Sequence, residues 1–366
     1  MAVNDPISST EYNNIRQSIA ARVGNFTVWS QHGIPTSTSN SGYGRSFASS
    51  IVTGGNTPGV SDKVTNQQMF QLYLDLQAGY VHQTGSQNTT ILPADFLNDT
   101  TVEFSDITDF QTIANSVLAF NHLSTDFDSS SFTTSLLRTS LGVSCSSTRN
   151  GTTNPWGTGG TAVITHRVTV DFGTHNSFLY FLSAGGEIRF DASLTGGTSG
   201  TANTKDWDWA QILSAMGTIR FGRVGSNWRT EAISPGTGTG SLISVISTGT
   251  TPSTVIFTKQ GGVSTAPSPT FGTVYDNNQF RIKASTNTAF SSATQLIFQI
   301  EFDDADTGSG GQAEPGQTGT PIDEQVTGNV TSNVYTYTPS SDFVIDSTTY
   351  PAIQLPAPTG TVNSTL

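Results

Sequence analysis

Residues 295–302 read Gln-Leu-Ile-Phe-Gln-Ile-Glu-Phe, with Leu296, Phe298, Ile300 and Phe302 at every second position. A period of two puts these four side chains on one face of a strand. Antiparallel pairing with one face buried accounts for such a pattern. The same pattern marks residues 162–172 and 187–193, and residues 218–222, 242–247, 255–258 and 279–284 likewise read as strands. Residues 178–183 lead through Gly185-Gly186 into 187–193, which reads as a hairpin. Residues 207–216 read as a short helix, and 327–338 as an edge strand. Several strands at this spacing predict a β-sandwich of about 180 residues.

The segments between the strands set the style of the fold. Charged residues make up 11% of the chain and hydrophobic residues 34%, against averages of about 25% and 45%. Ser, Thr, Asn and 37 Gly fill the difference, a composition suited to many strands joined by turns. The 21 Phe argue against a disordered chain, which lacks aromatics to bury.

The first third follows a different period. Tyr12, Ile15, Ile19 and Val23 form one helical stripe, closed by Gly24. Met69, Tyr73, Leu76 and Tyr80 form a second, and Phe110, Ile113, Val117 and Phe120 a third. Residues 36–59 make a Gly/Ser/Asn-rich loop of unusual length for a compact domain. The expected class is therefore α+β, mainly β. A small helical N-terminal domain for attachment or oligomerisation spans residues 1–140. An antiparallel β-sandwich covers 158–340, and an extended tail 341–366.

Charge and cysteine narrow the functional classes. A net charge of −12 leaves no domain-sized basic face, so nucleic acid is not an expected partner. The same charge disfavours docking on anionic lipid. No apolar run reaches the roughly 18 residues of a membrane helix, so no insertion is expected. Residues 1–7 have neither a basic nor an apolar signal region, which points to synthesis in a cytoplasm without signal-directed export. The single cysteine, Cys145, allows no internal disulfide and no cysteine-based metal site, and reads as a small buried residue.

No catalytic, cofactor-binding or metal-ligating residue is assigned from local motifs. His32, His82, His122, His166 and His175 lack metal-site spacing. His82 reads as a packing or capping residue, and His166 as the partner of a cross-strand group. The Gly-rich stretches 157–160 and 196–201 lack the lysine and helix of a phosphate loop. Three candidates remain. Asp303, Asp304 and Asp306 could hold a hard cation, although the EF-hand register fails; a solvated strand end is the plainer reading. Asp171, Glu187, Asp191, Asp206 and Asp208 lie near strand ends, where a pair could serve glycoside hydrolysis; nothing selects a pair. Trp207, Trp209 and Trp228 could stack on sugar rings, or fill the core as aromatics ordinarily do.

Tyr12-Asn-Asn-Ile-Arg, the Gly/Ser linker and Tyr80-Val-His-Gln-Thr-Gly85 resemble a family of virion structural proteins of tailed phages. The likeness is to tail-fibre-like proteins of cyanophages and related marine T4-like phages. Residues 181–197, 217–222, 275–284 and 297–306 are similar to that family's β-rich segment. The likeness covers most of the chain and is weakest over 25–60 and 340–366. It implies a non-enzymatic component of the tail, baseplate, fibre or neck, made in the host cytoplasm. It carries no cofactor. The expected partners are copies of itself, a trimer by analogy with appendages, and other virion proteins. A receptor-binding module for host surface polysaccharide and a neck or collar adaptor are the alternative expectations. A polysaccharide depolymerase is the enzymatic one.

Overall fold

The computed structural model describes residues 137–147, 156, 162–183, 186–197, 199, 205–224, 227–233, 235–261, 277–305, 326–339, 343–345, 348–350 and 356–365. It also describes positions 70, 73, 74, 77, 89, 108 and 109. Phe70, Tyr73, Leu74 and Gln77 are helical, as are Thr108 and Asp109. The rest of the three N-terminal stripes, the 36–59 loop, Asp306 and His32, His82 and His122 lie outside the described residues.

The described region is mainly β, built from two antiparallel sheets packed as a sandwich. In chain order the elements are β1 (Leu137–Ser147), β2 (Ala162–Asp171), helix α1 (His175–Ser183), β3 (Glu187–Thr195) and helix α2 (Lys205–Met216). Then come β4 (Ile219–Val224), β5 (Asn227–Ala232), β6 (Thr239–Gly240), β7 (Leu242–Ile243), β8 (Ser247–Thr248) and β9 (Thr254–Gln260). The last are β10 (Gln279–Thr286), β11 (Gln295–Asp304), β12 (Asn329–Pro339), β13 (Phe343–Ile345), β14 (Thr348–Tyr350) and β15 (Pro358–Thr365). One sheet runs β1-β12-β3-β4-β5-β7 and the other β15-β2-β11-β10-β9-β6. The short β8 joins β10 in parallel, and β13 pairs with β14.

Alternation explains the layers. On β2, Ile164, His166, Val168 and Val170 are buried while the residues between them are not. Leu296, Phe298, Ile300 and Phe302 of β11 face the same interior. Phe298 crosses it: its ring lies 5.0 Å from Phe190 on β3 and 5.4 Å from Phe221 on β4. The aromatics continue to both ends of the sandwich. Phe172, Phe178 and Phe290 meet Trp228 at one. Trp156, Trp209, Phe302 and Phe280 meet at the other.

Four expectations are corrected. Residues 178–183 form helix α1, not the first arm of a hairpin. Phe178, Phe181 and Leu182 are buried at helical spacing, and Thr174 Oγ1 accepts the Ser177 amide at 3.1 Å as an N-terminal cap. The helix closes where the Gly186 amide donates to the Phe181 carbonyl at 2.8 Å. A Cβ on Gly186 would fall 2.5 Å from that carbonyl oxygen, so only glycine fits the turn. Second, β12 is not an edge strand: it pairs with β1 on one side and β3 on the other. Third, residues 242–247 are divided between β7 and β8 rather than forming one strand. Fourth, the strand end at Asp303 and Asp304 is not simply solvated: both close β11, and Asp304 is fully buried. The sandwich also passes both expected limits, taking in β1 ahead of 158 and β15 beyond 340.

Candidate functional site

The acidic run 301–304 is divided by the pleat of β11. Glu301 and Asp303 point away from the core and Asp304 points into it. Glu301 accepts from Arg281 Nε at 3.0 Å, Lys283 Nζ at 2.6 Å and Gln299 Nε2 at 2.7 Å. Arg281 also reaches the Asp303 carboxylate. Asp304 is buried and lies 2.8 Å from the equally buried Lys205 ammonium. Asp303 and Asp304 therefore do not converge on one cation, and no group of three metal-ligating side chains occurs among the described residues.

Lys205 opens α2, and the next residue extends the same anchor. Asp206 accepts the Thr327 and Gly328 amides at 2.8 Å each and the Thr327 hydroxyl at 2.6 Å. Trp156 packs on Trp209, and its backbone bridges to Val326 in both directions. The first turn of α2 thus holds the chain where it leaves β11 and where it returns ahead of β12. Sequence reasoning put Lys205 in no role, because its partner lies about a hundred residues away.

His166 is clamped between the sheets. Its Nε2 lies 2.8 Å from the Ser147 hydroxyl of β1 and its Nδ1 2.7 Å from the Ser332 hydroxyl of β12. The Phe302 ring meets it edge-on at 5.2 Å. One ring nitrogen accepts and the other donates, so the neutral imidazole is satisfied. Burial pushes its pKa down from 6.5 to about 4. Between those values the unfolded chain binds more protons than the folded one. Stability is therefore fully present above pH 6.5 and is lost as pH falls toward 4. The loss expected from this residue between pH 7 and pH 5 is about 2 kcal/mol. Denaturant melts at both pH values, of the natural chain and of His166→Asn, check it. The variant should lack that part of the difference, and an equal difference in both chains would rule the clamp out as its source.

The remaining candidates are occupied by the fold. Trp209 and Trp228 are in the core, and Trp207 is half-buried. Asp171 accepts the Gly173 amide at 2.8 Å and Gln295 Nε2 at 2.7 Å. Glu187 binds Arg189 Nε at 2.8 Å, and Arg220 links Glu187 to Glu231. Asp208 is buried in the first turn of α2. Asp191 accepts from Asn333 Nδ2 at 2.6 Å. The His175 Nδ1 lies 2.8 Å from the Ala293 carbonyl. Cys145 is buried beneath β15: a Cβ on Gly360 would sit 2.3 Å from its sulfur. Burial pushes the Cys145 thiol above its usual pKa, as expected of an unreactive cysteine.

One surface was missed. The outer face of the six-stranded sheet runs in register from Gly142 on β1 through Tyr335 on β12 to Arg189 on β3 and Arg220 on β4. The next row is Ser144, Asn333 and Asp191, and the one after it Ser146, Thr331 and Ser193. Arg189 stacks over Tyr337 at 4.4 Å from the ring centre. Burial, with Asp191 and Tyr337 alongside, pushes the Tyr335 phenol above its ordinary pKa, so it keeps its proton at neutral pH. The signal was there to find: Tyr335-Thr-Tyr337 on a period-two strand places both rings on one face.

No helix among the described residues is long and apolar enough to cross a membrane. The chain matches no family model, no curated protein and no solved structure.

Proposed function

We propose that the chain is a non-enzymatic structural component of a tailed-phage virion that assembles through contacts with copies of itself and with other virion proteins. The observation that carries this reading is the sequence likeness over residues 181–197, 217–222, 275–284 and 297–306. The architecture is in keeping with it. A sandwich stapled by ion pairs and free of disulfides suits a part that folds in a reducing cytoplasm and then persists on a particle. Four of the five carboxylates that could have served hydrolysis, Asp171, Glu187, Asp191 and Asp206, are held by arginine, amide and backbone partners, which favours a scaffold over a hydrolase. Tail, baseplate or fibre is the expected location. Mass spectrometry of gradient-purified particles should find the chain at a fixed stoichiometry, and its absence from them would sink the proposal. Density in a virion reconstruction separates a projecting appendage from a ring at the neck.

A further inference from the structure

The end of the sandwich that holds Lys205 and Asp304 also holds Asn278, the residue just ahead of β10. Gln279 pairs with Asp303, so one further step of the antiparallel register sets Asn278 opposite Asp304. Both are fully buried, two positions from the equally buried Phe280 and Phe302 on the same inner face. Residues opposed in this way carry their Cβ atoms about 4.5–5.5 Å apart. The Lys205 ammonium, 2.8 Å from Asp304, is thereby placed within reach of the Asn278 amide. Neither the oxygen nor the nitrogen of that amide has a hydrogen-bond partner among the described residues. A buried amide left in this condition is costly and calls for an explanation. The surroundings are aromatic: Trp156 packs on Trp209, Trp209 on Phe302 and Phe302 on Phe280.

We propose that Lys205 and Asn278 join in an isopeptide bond, with Asp304 as the acid–base group that promotes it. The ammonium passes one proton to the Asp304 carboxylate, which leaves a neutral amine and a carboxylic acid. Burying two charges among aromatic rings favours that exchange. The Nζ lone pair then attacks Cγ of Asn278, and the acid donates a hydrogen bond to the carbonyl oxygen as negative charge develops there. A second proton moves from Nζ to the amide nitrogen, the bond from Cγ to that nitrogen breaks, and ammonia leaves. The new amide keeps the third proton, and Asp304 ends as the neutral acid. No oxidant or other reactant is consumed, and no charge stays buried. The bond ties the start of α2, which follows β3 of one sheet, to β10 of the other. It closes residues 205–278 into a loop and so constrains the unfolded chain as a disulfide does. The single cysteine denies the chain an internal disulfide, and a reducing cytoplasm does not undo an amide. The ion pair is the state before reaction, so its own contribution to stability is that of freshly folded chain at full sequence mass.

The test is the mass of the full chain, incubated after purification and then denatured, followed by sequencing of its proteolytic peptides. The chain should be lighter than its sequence by one ammonia, and one branched peptide should join the segments around Lys205 and Asn278. Lys205→Arg, Asn278→Ala and Asp304→Asn should each keep the full mass. The natural chain carries the decision by itself, so a variant that fails to fold does not remove the test. Full mass after prolonged incubation would overturn the proposal. Loss of ammonia confined to a single unbranched peptide would overturn it too, since that marks a cyclised asparagine elsewhere. Loss of one water with Lys205 joined to Asp304 would overturn Asn278 as the site of attack. A bond that still forms in Asp304→Asn would overturn the role of Asp304. None of these readings depends on where the chain is found, so the virion proposal stands or falls separately.

Discussion

Replacing Lys205 with methionine should cost the sandwich about 3–5 kcal/mol. Lys205 and Asp304 are both fully buried and 2.8 Å apart. Bringing two charges out of water is expensive, and only their mutual attraction and further hydrogen bonds offset it. Removing the ammonium leaves the carboxylate inside without its counter-charge. A domain of this size has roughly 5–15 kcal/mol in hand, so the variant loses a large share of it. The midpoint of thermal unfolding should fall by on the order of 10 °C. Lys205→Met/Asp304→Leu removes both charges and should recover most of the loss, since a packed apolar pair often equals a buried ion pair. Denaturant melts of the two singles and the double give the coupling directly. A single variant within about 1 kcal/mol of the natural chain would mean that the pair does not form as described.

Truncating Phe298 to alanine should be as damaging, for a different reason. Its ring touches Phe190 and Phe221 on the opposite sheet and is wholly buried. The loss combines transfer of the ring with the cavity left between two rigid layers, about 3–5 kcal/mol. Phe298→Leu keeps most of the volume and should cost about 1–1.5 kcal/mol. The gap between the two variants measures how far the sheets can close on the hole. Equal losses would indicate that shape, not volume, holds the layers together.

The strands most clearly marked in the sequence were those with an apolar residue at every second position. On β2 burial follows that pattern nearly residue for residue, and on β11 the same positions meet the core, with Ile297 and Glu301 of the other face covered as well. Helix α1 was misread because Phe178-Leu-Tyr-Phe-Leu is a short continuous apolar run, which periodicity cannot assign. The deciding atoms lie just outside it, in the Thr174 cap and the Gly186 turn. The interior position of β12 was not legible at all. It depends on β1, whose Ser146 meets Thr331 across 185 residues of chain. The acidic run illustrates the opposite case. Period two already separates Asp303 from Asp304, and carrying that through would have dismissed a shared cation. Trp207 and Trp209 could likewise not present one surface, since two steps along a helix turn a side chain by roughly 200°. The tyrosine pair was legible on its own strand, but the neighbours that make it part of a face come from other strands that only the completed sheet brings together.

The order in which the chain is made runs against the order in which its sheet must be built. β2 sits between β11 and β15, so neither of its edges has a partner until much later residues exist. Thr169 and Thr359 are 190 residues apart, and Asp171 and Gln295 are 124 apart. At roughly 5–20 residues per second, β2 waits about 6–25 s for its first neighbour and about 10–40 s for its second. Throughout that time the apolar residues Ile164, Val168 and Val170 have no sheet to join, which leaves the segment open to pairing with its counterpart in the next nascent chain. Soluble yield should then depend on translation speed and on holding chaperones more than on the stability of the finished protein. A late stop codon would leave β2 permanently half-paired.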